Sequence, residues 1–119
     1  MSFASKRKAA TRAESERIRR VKECGCLACR QEGLPTDYAE AHHLNIGDKH
    51  GAPNLGHAFV VGLCPWHHRG VPPDGRTIKY SRQAYGPSLA LEPRAFRERY
   101  GSGDALMLKQ ERVLKSAVW

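Results

Sequence analysis

No apolar run in this chain approaches the roughly 20 residues that span a bilayer. The basic start, Met1 to Ala10, is not followed by the apolar stretch of a secretory signal. A membrane protein and a secreted one are both disfavoured, and the expected compartment is the cytoplasm. Disulfides are rare there, so clustered cysteines point to metal. Acidic residues are scarce, with 12 Asp and Glu against 20 Lys and Arg, a net charge of +8 and a pI near 9.7. Such a balance favours a polyanionic partner, nucleic acid above all. There is no internal repeat and no low-complexity segment. What remains is 119 residues, 40% of them hydrophobic, enough for one domain with a modest core. Cores of that size often lean on a metal.

Charge is concentrated at the start. Residues 1–23 hold Lys6, Arg7, Lys8, Arg12, Arg17, Arg19, Arg20 and Lys22 against Glu14, Glu16 and Glu23. Thr11-Arg12-Ala13-Glu14 fits a capping box, so a helix is expected over 12–23. Its apolar stripe, Ile18 and Val21, is thin and predicts light docking on the domain. We divide the chain into a basic arm and helix over 1–20 and a domain over 21–119. Phosphate contacts are expected from Lys6, Arg7, Lys8, Arg12, Arg19 and Arg20, and from Arg69 further along.

Three short stretches carry the chemistry. The first is Gly25-Cys26-Leu27-Ala28-Cys29, a C-x-x-C whose thiolates can share one zinc, with Cys24 as a spare. The second is Glu40-Ala41-His42-His43-Leu44-Asn45-Ile46, read as a strand. A loop over 47–56 follows, broken by Gly47, Gly51, Pro53 and Gly56. Residues 58–63 are β-branched and aromatic, hence a second strand. The third stretch, Cys64-Pro65-Trp66-His67-His68, opens a helix with Pro65 in its first turn. The order is strand, loop, strand, helix. Residues 76–91 lack clear periodicity. A helix is expected over 92–100, stopped by Gly101, and a last one over 105–113, capped by Ser102 or Asp104. Leu106, Met107, Val113 and Leu114 should face Phe96 and Tyr100. The fold class is therefore α+β, a small ββα core stapled by zinc with flanking helices.

Neighbouring side chains in a strand point to opposite faces, so His42 and His43 suit two different tasks. On the helix, His67 lies one turn from Cys64, and His68 is rotated from it by about 100°. Cys26, Cys29, Cys64 and His67 can close one tetrahedron around a structural zinc. His42 and His68 then begin a second site with open positions, suited to a divalent ion that neutralises a scissile phosphate. His43 can take a proton from the attacking water. A polar residue should orient it, and Asn54 and His57 are both candidates.

These residues resemble a known family. Gly25-Cys26-x-x-Cys29, Ala41-His42-His43-Leu44 and Leu63-Cys64-x-x-His67-His68-x-Gly70 look like an HNH (ββα-metal) nuclease. Together with the tail Ala95-Phe96-Arg97-Glu98-Arg99-Tyr100-Gly101, they resemble the phage recombination-enhancement nucleases that act with RecA. The resemblance covers about residues 22–115. It implies DNA cleavage in a bacterial or phage-infected cell by a one-metal mechanism, with Mg²⁺ the usual ion and a RecA filament as a possible partner. It gives His43 the role of general base, and His42 and His68 the catalytic metal. The fourth zinc ligand of the family is often Cys, and here His67 would stand in its place. Neither Asn54 nor His57 sits at the commonest offset of the family's middle Asn; His57, at the start of the second strand, is the favoured one.

Two other readings compete. A non-catalytic zinc module could bind nucleic acid, although it would not need a second histidine pair. A thiol-redox protein could use Cys26 and Cys29, but the alternating strands and helices of such folds are missing around that motif.

Overall fold

In the computed structural model, residues 9–49 and 51–116 are described. Lys6, Arg7 and Lys8, expected on phosphate, lie outside them. The first helix, α1 (Arg12–Cys24), starts as its capping box dictates. Thr11 Oγ1 accepts the Glu14 N–H at 3.1 Å, and Glu14 Oε1 accepts the Thr11 N–H at 2.9 Å. The helix docks more firmly than its thin stripe predicts. Val21 and Cys24 are buried. Arg17 donates to the Val60 carbonyl at 2.9 Å and to Glu111 at 2.7 Å, tying α1 to a strand and to the last helix at once. The division expected at residue 20 falls inside this helix.

Gly25 ends α1 at φ +87°. A six-residue helix, α2 (Leu27–Glu32), follows where the sequence pattern shows none. The two strands, β1 (Glu40–His43) and β2 (Val60–Leu63), pair antiparallel with Glu40 opposite Leu63 and His43 opposite Val60. Both are shorter than expected. The excess residues form the neck of the long loop, where Leu44 N–H donates to the Phe59 carbonyl at 2.9 Å and Asn45 bridges Asn54. Then comes α3 (Pro65–Arg69), with Cys64 as its N-cap. The expected strand, loop, strand, helix order stands.

The stretch without periodicity forms α4 (Ile78–Tyr85), capped by Thr77 Oγ1 on the Tyr80 N–H at 2.9 Å. Its one fully buried side chain is Ser81, while Ile78 and Tyr80 are exposed, so it has no apolar stripe to read. The next helix, α5 (Pro93–Tyr100), buries Phe96 and Tyr100. The last, α6 (Gly103–Ser116), starts two residues before the expected Ala105. Ser102 Oγ accepts the Ala105 N–H at 3.3 Å, and the Asp48 carboxylate accepts the Gly103 N–H at 3.1 and 3.0 Å, so the long loop helps to cap α6.

The core lies between the sheet and the helices. Leu27, Leu44, Val61, Leu63, Phe96, Tyr100 and Leu106 form its larger part. Val21, Val60 and Leu114 form a smaller cluster under α1. The architecture of the described residues is α+β, two short strands among six α-helices. Among the described residues no helix is long and apolar enough to cross a membrane.

Gly62, mid-strand in β2, allows the closest approach. A Cβ there would meet the Gly25 carbonyl oxygen at 2.5 Å and the Val21 carbonyl oxygen at 3.1 Å. Both are backbone atoms, and the Gly62 N–H is held by Gln110 Oε1 at 2.8 Å. Gly62→Ala should therefore lower stability by about 1–3 kcal/mol through overpacking, read as the shift in denaturant midpoint.

Candidate metal centre and active site

Two helix starts converge on one point. Cys26 caps α2, its sulfur accepting the Cys29 N–H at 3.4 Å. Cys64 caps α3 in the same way on the His67 N–H at 3.4 Å. His67 Nδ1 lies 3.5 Å from the sulfurs of Cys26 and Cys29 and 3.3 Å from that of Cys64. The sulfurs of Cys29 and Cys64 are 3.8 Å apart. A tetrahedral zinc with its usual bond lengths needs edges of about 3.8 Å between sulfurs and about 3.5 Å from sulfur to nitrogen. The donor set and the spacing both fit zinc, and the four donors lie within 4.8 Å of one another. Cys24 is buried nearby but stands outside the group.

The surroundings set the ligand chemistry. His67 Nε2 donates to the Tyr85 carbonyl at 2.7 Å, which turns the Nδ1 lone pair toward the sulfurs. Tyr100 donates from its hydroxyl to Glu32 at 2.7 Å and closes the shell. Hydrogen bonds from Cys26 and Cys29 pull the Cys64 thiol far down, while those shared with Cys26 and Cys64 push the Cys29 thiol far up. Burial works against a charged His67, but hydrogen bonds to the Cys26 and Cys64 sulfurs outweigh it and raise the ring to about 10. A divalent cation held by these four side chains would replace the protons between them.

A second arrangement lies on β1. His42 Nδ1 faces His68 Nε2 at 3.2 Å. Glu40, two residues before His42 and on the same face of the strand, accepts from His68 Nδ1 at 2.8 Å. That bond directs the Nε2 of His68 at His42. Glu40 was not foreseen, although its i, i+2 spacing from His42 was a usable signal. Arg69 holds both oxygens of Glu40 through Nε and a terminal nitrogen, at 2.9 and 2.6 Å. The Arg69 pair first, and then the His68 bond, keep the Glu40 carboxyl below its usual range. Burial, followed by the charges of His68, Arg97 and His43, lowers His42 to about 4, with Asp48 opposing. A neutral imidazole is the form that binds metal. The pair opens into a cleft of about 530 Å³ lined by Asp48, Arg69, Leu89, Pro93 and Arg97 among others. Two nitrogens at this distance could form one edge of a coordination shell with the rest open. Among the described residues, the Cys/His group alone brings three or more such donors together.

His43 lies on the opposite face of the strand, in a smaller cleft with Ile18, Lys22 and Tyr38 that adjoins the first at His68 and Arg69, which line both. Its Nε2 lies 3.1 Å from His57 Nδ1, with the rings near edge-on at 75°. Asn54, the other orienting candidate, turns its Oδ1 to the Gly56 N–H at 3.1 Å and shapes the loop. Of the four expected phosphate-binding cations among the described residues, three are engaged. Arg19 pairs with Glu16 and Glu23, Arg69 with Glu40, and Arg20 reaches the Leu114 carbonyl at 3.4 Å. Arg12 is exposed at the start of α1.

Residues 10–115 match the protein family described as "Recombination enhancement, RecA-dependent nuclease". No curated protein matches the chain.

The fit to zinc makes a direct prediction. Purified protein should release one zinc per chain on denaturation, counted by a colorimetric chelator. Cys64→Ser should lose that metal and melt far earlier, since a structural zinc stabilises a small fold by several kcal/mol or more. Cys24→Ser should keep it.

Proposed function

The chain belongs to the recombination-enhancement, RecA-dependent nuclease family, and from that premise we propose that it is a metal-dependent HNH endonuclease that hydrolyses DNA. Family membership makes it a nuclease whose action on DNA depends on RecA. The finer reading is ours and rests on one observation. Four of the histidines of the strand–loop–strand–helix unit form two close pairs, His42 with His68 at 3.2 Å and His43 with His57 at 3.1 Å.

In this reading His43 takes a proton from the water that attacks phosphorus. The bond from phosphorus to the 3′ oxygen breaks, and that oxygen leaves to be protonated from solvent. His57 holds the plane of the His43 ring. His42 and His68 would hold the catalytic ion, Mg²⁺ in the first instance, whose charge supports the phosphate and the leaving oxygen. Glu40 fixes His68 by accepting a hydrogen bond from its Nδ1–H. Cys26, Cys29, Cys64 and His67 hold the structural zinc and with it the start of α3. Asn54 keeps the loop that delivers His57. Lys6, Arg7, Lys8, Arg12, Arg19, Arg20 and Arg69 supply positive charge for the DNA backbone or the RecA-bound strand.

A plasmid-nicking assay with Mg²⁺, Mn²⁺ or EDTA, with and without RecA filaments, tests this. Cutting should need the divalent ion and the filament. His43→Ala should lose about 10²–10⁴-fold in rate, as expected for a general base, with zinc content and melting temperature unchanged. Near wild-type cutting by that variant would sink the assignment, and a wild-type protein that holds one zinc and cuts nothing would favour the binding-module reading. Glu40→Gln should weaken the catalytic ion's affinity by about 10–100-fold, as loss of an orienting carboxylate does, read by titrating Mn²⁺ against rate.

A further inference from the structure

The cations around the His42–His68 cleft are unequally committed. Arg69 has both arms of its fork on the two oxygens of Glu40. Arg97 comes from α5, where Phe96 and Tyr100 turn into the core and Pro93 and Arg97, one turn apart, turn to the cleft. Its side chain is 26% exposed, and its partner there is Asp48. That partnership is poor. One terminal nitrogen lies 3.4 Å from Asp48 Oδ1 without forming a hydrogen bond, and it is buried. The other makes a long bond of 3.4 Å to the Asp48 carbonyl. Both carboxylate oxygens of Asp48 are already on the Gly103 N–H.

A guanidinium carries five N–H donors. Here it is partly buried, with one terminal nitrogen fully buried and unbonded, beside two histidines in a cleft with room for a phosphodiester. Leaving a buried donor unmet is unfavourable, and charged ones most of all. A small swing of the guanidinium away from Asp48 gives up one long hydrogen bond and a loose ion pair. It would gain the short bidentate bonds that Arg forms with phosphate.

We propose that Arg97 is a catalytic residue, supplied from outside the ββα unit, that grips the non-bridging oxygens of the scissile phosphodiester and rests on Asp48 until DNA enters. This rests on the His42–His68 cleft being the cutting site. Arg97 then stabilises charge as it builds on the phosphate. His43 handles the proton, and the two roles fall to separate side chains.

The experiment compares wild type, Arg97→Ala, Arg97→Lys and His43→Ala in the full-length protein, on the same DNA with RecA and Mg²⁺. Zinc content, melting temperature and Mn²⁺ affinity by electron paramagnetic resonance are measured beside kcat and KM. Arg97→Ala should lose about 10²–10³-fold in kcat, the usual cost of one lost transition-state donor, while Mn²⁺ affinity and melting temperature hold. Arg97→Lys should recover part of the loss, since an ammonium restores the charge but not the fork. Arg97→Ala cutting within a few-fold of wild type, in a series where His43→Ala is dead, overturns the proposal and leaves the site reading intact. A rate loss that merely follows lost Mn²⁺ or early melting makes Arg97 structural and overturns it too. His43→Ala cutting normally would instead overturn the site reading itself.

Discussion

Three sulfurs and one imidazole must sit within hydrogen-bonding distance of one another, and most of the structure follows from that demand. They come from the starts of two short helices, neither long enough to persist alone. Holding them together fixes α2 against α3. Because His67 belongs to the cluster, the next residue is fixed as well, and His68 is turned by about 100° away from it. The cluster therefore aims a side chain that is not part of it. Tyr85, Tyr100 and Glu32 then surround His67 and bring the ends of α4 and α5 to the same point.

The sheet adds the second constraint. Two strands of four residues make little core, yet their alternation does the sorting. Glu40 and His42 face α3 and α5. Ala41 and His43 face the α1 side, where Ala41 packs against the Val21 and Val60 cluster. One imidazole is thus placed among polar and charged groups, and its neighbour is placed beside His57. A register slip of one residue would exchange these faces and place both rings wrongly. Gly62 and Gln110 hold that register from β2 and α6.

Charge is arranged less openly than a net value of +8 implies. Many of the arginines within the described fold are engaged with carboxylates or carbonyls. Arg17 is structural, Arg99 is held by Glu32, and Arg19 is spent along its own helix. Exposed pairs of this kind add little stability, but they mask charge. Arg69 too is held, by Glu40, and Arg97 stands apart, with only long contacts to Asp48.

By itself the sequence determined the α+β class, the capping box at Thr11, the four residues that meet in the Cys/His cluster and the parting of His42 from His43 and of His67 from His68. Each rests on short-range spacing: a C-x-x-C turn, a Cys and His one helical turn apart, a strand's alternation. That His57 lies against His43 while Asn54 turns to its own loop needed the loop's path, because both precede β2 closely and only the chain's closure brings a ring to His43. α4 was illegible because it buries a serine and leaves Ile78 and Tyr80 outside, so no apolar period marks it. α2 is six residues long and sits under a metal motif that reads as a turn. Arg97 stands 55 positions from His42, and no local pattern relates them. That Phe96 would pack inward was legible; that Arg97, on the other face of α5, would meet the histidines was decided by the tertiary structure alone. Contacts between distant segments depend on how helices pack, and helix packing is set by core shape rather than by any repeat in the chain.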